Sequence, residues 1–170
     1  WSQAITRVLL TRAGKIGGTI VAMLHESGGW DLKVVDTHDD ALNDIAALGI
    51  PCEAVDTTKL EERRRVIDGV TAVISTLPYD LNGPLAESAK ASGAHYFDFT
   101  EDVDSMRHVK SLAPDARSAI MPQCGLAPGF ISIVAHDLAR QFDAVHPIQM
   151  RVGALPEFPA NALMYNLTWS

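Results

Sequence analysis

Apolar and polar positions along this chain fall into short blocks of two kinds. Residues 4–10 are rich in Ile, Val and Leu without alternation, the pattern of a strand buried on both faces. Residues 15–26 carry Ile16, Ile20 and Leu24 with Val21 beside them, a helical stripe that Gly28-Gly29 ends. The same rhythm repeats. Strands are predicted at 31–36, 52–55, 71–75, 95–99 and 118–121, and helices at 40–48, after Thr58, up to Ser92 and at 102–113. Thr58 and Glu61 have capping-box spacing. Pro84 suits a helix's first turn, Gly93 its stop, and Pro114 ends the helix before the sixth strand. Doubly buried strands alternating with helices over about 120 residues predict an α/β fold, a doubly wound parallel sheet of Rossmann type.

The pattern changes after Met121. Residues 122–129 hold two prolines and two glycines and read as a loop, and Phe130, Val134 and Leu138 then mark a helix. Residues 148–152 alternate apolar and polar, as do Leu163, Tyr165, Leu167 and Trp169, which predicts half-buried strands of another sheet. The expected organisation is a dinucleotide-binding domain over 1–124, followed over 125–170 by a linking helix and the beginning of a second, truncated α/β domain.

Composition narrows the function classes. The formal net charge is −7, with 14 basic against 21 acidic residues, which disfavours nucleic acid and anionic membranes as partners. The run Arg63-Arg64-Arg65 follows two glutamates and reads as a solvated helix face. Cys52 and Cys124 make neither a disulfide framework nor a metal site, and no metal is expected. A reducing, cytoplasmic location follows as an expectation, with no leader at Trp1 and no apolar run of transmembrane length.

The chemistry concentrates where the first strand meets the first helix. Arg12-Ala13-Gly14-Lys15-Ile16-Gly17 occupies the place of a G-x-G-x-x-G dinucleotide fingerprint with two of its three glycines. Gly14 lets the backbone approach a pyrophosphate, Gly17 lets helix and strand pack closely, and the amides opening the helix at Lys15 and Ile16 face phosphate. Arg12 stands at the first glycine position. A non-glycine residue fits that turn where its φ is negative, and its side chain either pairs with phosphate or blocks the groove. Asp36 ends the second strand, 22 residues beyond Gly14, where a carboxylate takes ribose hydroxyls. With Thr37 it is assigned to the adenosine end. No arginine follows in Thr37-His38-Asp39-Asp40, so NAD is expected, without excluding NADP. Thr76, Leu77 and Pro78, after the fourth strand, are expected to line the nicotinamide side.

With those residues placed, three segments resemble the saccharopine dehydrogenase family: Ala72-Val73-Ile74-Ser75-Thr76-Leu77-Pro78-Tyr79, then His95-Tyr96-Phe97-Asp98-Phe99-Thr100, then Cys124-Gly125-Leu126-Ala127-Pro128-Gly129. Residues 165–170 are also similar to a segment of that family's second domain. The resemblance implies a Rossmann domain with a second, substrate-binding α/β domain that often mediates a homodimer. It implies an oxidoreductase moving hydride between a nicotinamide and an amine-bearing carbon of an amino acid or polyamine-type small molecule, as in lysine metabolism. Asp98 ends the fifth strand, on the face where the nicotinamide is expected, and is a catalytic candidate together with Cys124, which the resemblance places near the substrate; Tyr79, Gly125 and Leu126 are substrate candidates. From the residues alone, Asp98 reads equally as a cap for the helix after Thr100, and Cys124 as a packing cysteine. The other histidines read as surface or packing residues, with His95 a weak candidate. Two other readings compete: a nucleotide-sensing Rossmann module, which Asp56 would also suit, and a fold that has lost its cofactor through Arg12.

Overall fold

The computed structural model describes residues 6–151 together with 153, 158 and 162. Six strands form one sheet: β1 (Thr6–Thr11), β2 (Trp30–Asp36), β3 (Cys52–Ala54), β4 (Ala72–Ser75), β5 (His95–Asp98) and β6 (Ile120–Met121). All pair in parallel, in the order β3-β2-β1-β4-β5-β6. Between them run α1 (Lys15–Ser27), α2 (Asp39–Ala46), α3 (Leu60–Ile67), α4 (Tyr79–Ser92) and α5 (Val103–Ser111). Strand order reverses at β1 and β4, where Thr11 pairs with both Val35 and Ser75.

The unalternating apolar strands are explained by a core on each face of the sheet. Leu9, Val35, Val73 and Tyr96 point to one face and pack with Val66 and Ile67 of α3, Leu85, Ala86 and Ala89 of α4, and Val109 of α5. Val8, Leu10, Leu32 and Val34 point to the other and pack with Val21 of α1 and Leu42 and Ile45 of α2. Side chains alternate faces along a strand, so a strand covered on both sides must be apolar at every position. Each fully buried Leu or Val contributes about 1.5–3 kcal/mol. This is the expected doubly wound Rossmann sheet.

Three local expectations fail. The Thr58/Glu61 capping box does not form: α3 begins at Leu60 without a side-chain cap, and the Thr58 hydroxyl donates to Asp56 Oδ1 (2.6 Å). Pro84 is interior to α4 rather than in its first turn. That helix starts five residues earlier because Asn82, nearly fully buried, accepts from the Ser75 hydroxyl (2.7 Å) and is held against β4. Arg63 is not on a solvated face. It is buried, and its guanidinium donates to the carbonyls of Thr57 and Thr58 (2.8 Å each) and to Ser88 Oγ (3.2 Å). Arg64 and Arg65 are exposed and pair with Glu61, and with Glu53 and Glu62, respectively.

The chain divides into two compact units, Trp1–Gly129 and Phe130–Ser170, so the loop bearing Cys124 belongs to the first. In the second, α6 (Phe130–Ala139) forms where the apolar spacing predicted a helix. Residues 148–151 form no strand; Val152 and the strand predicted over 163–169 lie outside the described residues. No helix among the described residues is long and apolar enough to cross a membrane.

Candidate functional site

The loops that follow β1, β2, β4, β5 and β6 all leave the carboxyl edge of the sheet, and the site is built there. After β1 the chain must reverse abruptly to lay α1 on the sheet. Arg12 makes the turn at φ +71°, in the left-handed region, so the expected negative φ is corrected. Its amide donates to the Val35 carbonyl (2.7 Å) and its carbonyl accepts from the Thr76 hydroxyl (2.6 Å). These bonds fix the turn from both neighbouring strands.

The two glycines serve different ends. A Cβ on Gly17 would collide with the Arg12 carbonyl and lie 2.9 Å from Thr76 Oγ1, so only glycine permits this approach of α1 to the turn. A Cβ on Gly14 would meet nothing nearer than Arg12 Nε at 4.0 Å, which leaves its outer face open. Gly14 is the N-cap of α1 and supplies no side chain to the helix's first amides. Lys15 and Ile16 follow it and are exposed. Open amides at the positive end of a helix dipole suit a phosphate group. These residues therefore fit the dinucleotide that the fingerprint implies.

Asp36, the last residue of β2, closes the other side of the turn. Its Oδ2 accepts from the Ala13 amide (2.7 Å), and its Oδ1 from the amides of Thr37 (2.6 Å) and His38 (3.1 Å). His38 Nδ1 lies 3.1 Å from the same Oδ1. Burial by itself would raise the carboxyl's pKa, but bonds from the His38 side chain and from the Ala13, His38 and Thr37 amides outweigh it and hold it below its ordinary value. Asp36 is therefore a charged acceptor at neutral pH that also braces the glycine turn.

On the far side of the strand crossover, the Thr76 amide donates to the Thr11 carbonyl (3.2 Å) while its hydroxyl, 2.9 Å from the same carbonyl, shares its one proton with the nearer Arg12 carbonyl, which ties the loop after β4 to the glycine turn. Leu77 packs against the core, Pro78 caps α4, and Tyr79 begins it with its side chain exposed. Asp98 has no exposed surface. Its Oδ1 accepts from the amides of Thr100 (3.0 Å) and Gln123 (3.2 Å), and its backbone carbonyl from Cys124 (2.7 Å). Asp98 does not cap α5; Asp102 does, accepting from the Ser105 amide (2.7 Å). Asp98 Oδ2 has no hydrogen-bond partner among the described residues, and the carboxylate lies near Tyr96. Burial first, then the Asp98 charge, pushes the Tyr96 hydroxyl far above its ordinary pKa, and the same two causes raise the Cys124 thiol. Cys124 is half-buried and stays a thiol at neutral pH, as a packing cysteine would. Gly125 bridges Gly129 across a tight loop, and Leu126 is exposed at its tip.

The structure thus gathers Gly14, Gly17 and Asp36 around one turn and joins Thr76 to it, while Asp98, Cys124 and Gly125 form a neighbouring cluster at β5 and β6. Sequence reasoning missed the polar links that build these clusters: Thr76 to the Arg12 carbonyl, Ser75 to Asn82, and Gln123 to Asp98. Each joins residues distant in sequence except Ser75 and Asn82, whose i, i+7 spacing spans a strand end and a helix start and gives no periodic signal.

A sequence model described as the saccharopine dehydrogenase NADP binding domain matches residues 8–121. Among solved structures, the chain is similar to a saccharopine dehydrogenase (L-Glu forming) from Saccharomyces cerevisiae, with 19% identity and a TM-score of 0.72 over 80% of this chain and 31% of that one. It thus spans under a third of that protein's length. It is also similar to the TrkA-N domain of an inner membrane protein from Escherichia coli, with 15% identity and a TM-score of 0.59 over 83% of this chain and 99% of that one. A third likeness is to the NAD(P)-binding domain of an exopolyphosphatase-related protein from Archaeoglobus fulgidus, with 14% identity and a TM-score of 0.58 over 79% and 98%. At these identities the structural likenesses show the fold.

Proposed function

Residues 8–121 make this chain a member of the saccharopine dehydrogenase NADP-binding domain family, and on that premise we propose that it holds the dinucleotide of an oxidoreductase acting on an amine-bearing carbon. The dinucleotide would lie across the carboxyl edge of β1 and β4. Its pyrophosphate would rest on the amides after Gly14, its adenosine ribose against Asp36, and its nicotinamide toward Thr76–Tyr79. The observation that carries this reading is the braced turn: Asp36 and Thr76 hold it from opposite sides while the outer face of Gly14 stays open.

Bound nicotinamide supplies hydride transfer; this chain's residues bind, orient and shield. Asp36 would accept from ribose hydroxyls, and its negative charge opposes a 2′-phosphate, which favours NAD over NADP. The family name points to NADP, and titration with both cofactors decides. Thr37 would flank the ribose. Asp98, wholly buried, would act as a positioning residue that holds Gln123 and Cys124 by its carboxylate and carbonyl. Cys124, kept protonated with its S–H donated to the Met121 carbonyl (3.3 Å), would pack beside the substrate, with Tyr79, Gly125 and Leu126 lining it. The substrate would be an amino acid or polyamine-type amine.

A nucleotide-sensing module is the second reading, favoured by the coverage of nearly all of the TrkA-N domain. Turnover separates the two. The intact protein, given NAD or NADP with saccharopine or lysine, should reduce the cofactor. Cofactor binding without turnover on any amine substrate would favour the sensor.

A further inference from the structure

We propose that Arg12 is a specificity-determining residue, a guanidinium that recognises the pyrophosphate where a glycine would otherwise stand; this rests on the dinucleotide reading above. Three contacts fix its backbone: the amide on the Val35 carbonyl, the carbonyl under the Thr76 hydroxyl, and Gly17 packed against that same carbonyl. They hold φ at +71°, where a residue bearing a Cβ is strained and glycine is not. The side chain is thereby carried over the mouth of α1, with Nε 4.0 Å from where a Cβ on Gly14 would sit. It is exposed and makes no ion pair or side-chain hydrogen bond among the described residues. Below it, α1 opens with no side-chain cap and no acid in its first turn.

A guanidinium with five unspent donors, above uncapped helix amides, matches a doubly charged pyrophosphate better than any neutral part of a dinucleotide. The first glycine of the fingerprint serves the turn by its conformational freedom. Here the turn is made at the expense of strain, and the position gains a positive charge.

The alternative is a side chain that fills the groove, and the two predict opposite signs. The test is calorimetric titration of the 170-residue chain and its Arg12→Gly and Arg12→Lys variants with NAD, ADP and adenosine. Recognition predicts that Arg12→Gly weakens NAD and ADP about tenfold or more while leaving adenosine unchanged. Arg12→Lys should fall between, because an ammonium keeps the charge and loses the fork. The salt dependence of NAD binding should also flatten in Arg12→Gly. Binding by Arg12→Gly as tight as the original or tighter, or equal loss for adenosine, overturns the proposal. Absence of NAD and ADP binding in both the original chain and Arg12→Gly would instead overturn the dinucleotide reading, and this inference with it.

Discussion

Gly17 and Gly18 are neighbours in α1, and replacing each by alanine should move stability in opposite directions. A Cβ on Gly17 would collide with the Arg12 carbonyl and sit 2.9 Å from Thr76 Oγ1 and 3.1 Å from Leu10 Cδ2. None of these can yield easily. The Arg12 carbonyl is held by the Thr76 hydroxyl, Thr76 is itself anchored by its amide on the Thr11 carbonyl, and Leu10 is buried in the core. Overpacking of this kind costs about 1–3 kcal/mol, and contact with fixed backbone belongs at the upper end. Alanine returns roughly 1 kcal/mol of helix propensity. The net expectation is a loss of about 2 kcal/mol, a fall in Tm of roughly 4–8 °C for a domain of this size. A Cβ on Gly18 meets only the Ala13 carbonyl, at 3.7 Å, an ordinary contact. Gly18→Ala should therefore gain about 0.5–1 kcal/mol. Thermal and urea unfolding followed by circular dichroism measure both. Gly17→Ala melting at or above the original would refute the packing account of the glycine turn.

Three further outcomes follow from the same contacts. Arg12→Gly should raise stability by about 1 kcal/mol in urea unfolding, since glycine adopts φ +71° without strain, even while it weakens NAD. Arg63→Met should lose about 2–3 kcal/mol, because the Thr57 and Thr58 carbonyls lose a charged donor in a buried place; an unchanged urea midpoint would contradict that role. The Asp36 carboxyl has a folded pKa below its ordinary 3.8, so the unfolded chain binds the extra proton as the solution acidifies. Its contribution is complete above about pH 4 and is lost as pH falls through the folded value. Asp36→Asn should therefore destabilise the chain at pH 7, and the gap from the original should narrow toward pH 3 in urea titrations; a gap constant with pH would contradict it.

The sheet was legible because burial on both faces removes polar residues from strands, and Leu9 and Leu10 record that directly although they face opposite cores. Helix stops at Gly28 and Gly93 were legible because both adopt positive φ. The place of Asp36 at the end of β2 was legible from the apolar run before it. The failures share one cause, tertiary contact overriding a local signal. Pro84 reads as a first-turn proline until Asn82, two residues before it, is seen held by Ser75. Thr58 reads as a cap until Asp56 takes its hydroxyl. Arg63 reads as solvent-facing until three oxygens are found to surround its guanidinium. Asp98 was placed correctly at the end of β5, but spacing could not show that its carboxylate faces inward to the Gln123 amide. Arg12 was visible as a departure, while its φ depended on bonds from Val35 and Thr76, 23 and 64 residues away in sequence.

The most direct test of the central claim is calorimetric titration of this chain with NAD and with NADP, alongside Asp36→Ala. Saturable binding of one dinucleotide per chain is expected, tighter for NAD, with that preference lost when Asp36 is removed. No binding of either cofactor to a folded chain would contradict it, and binding indifferent to Asp36 would remove the ribose from the place assigned to it.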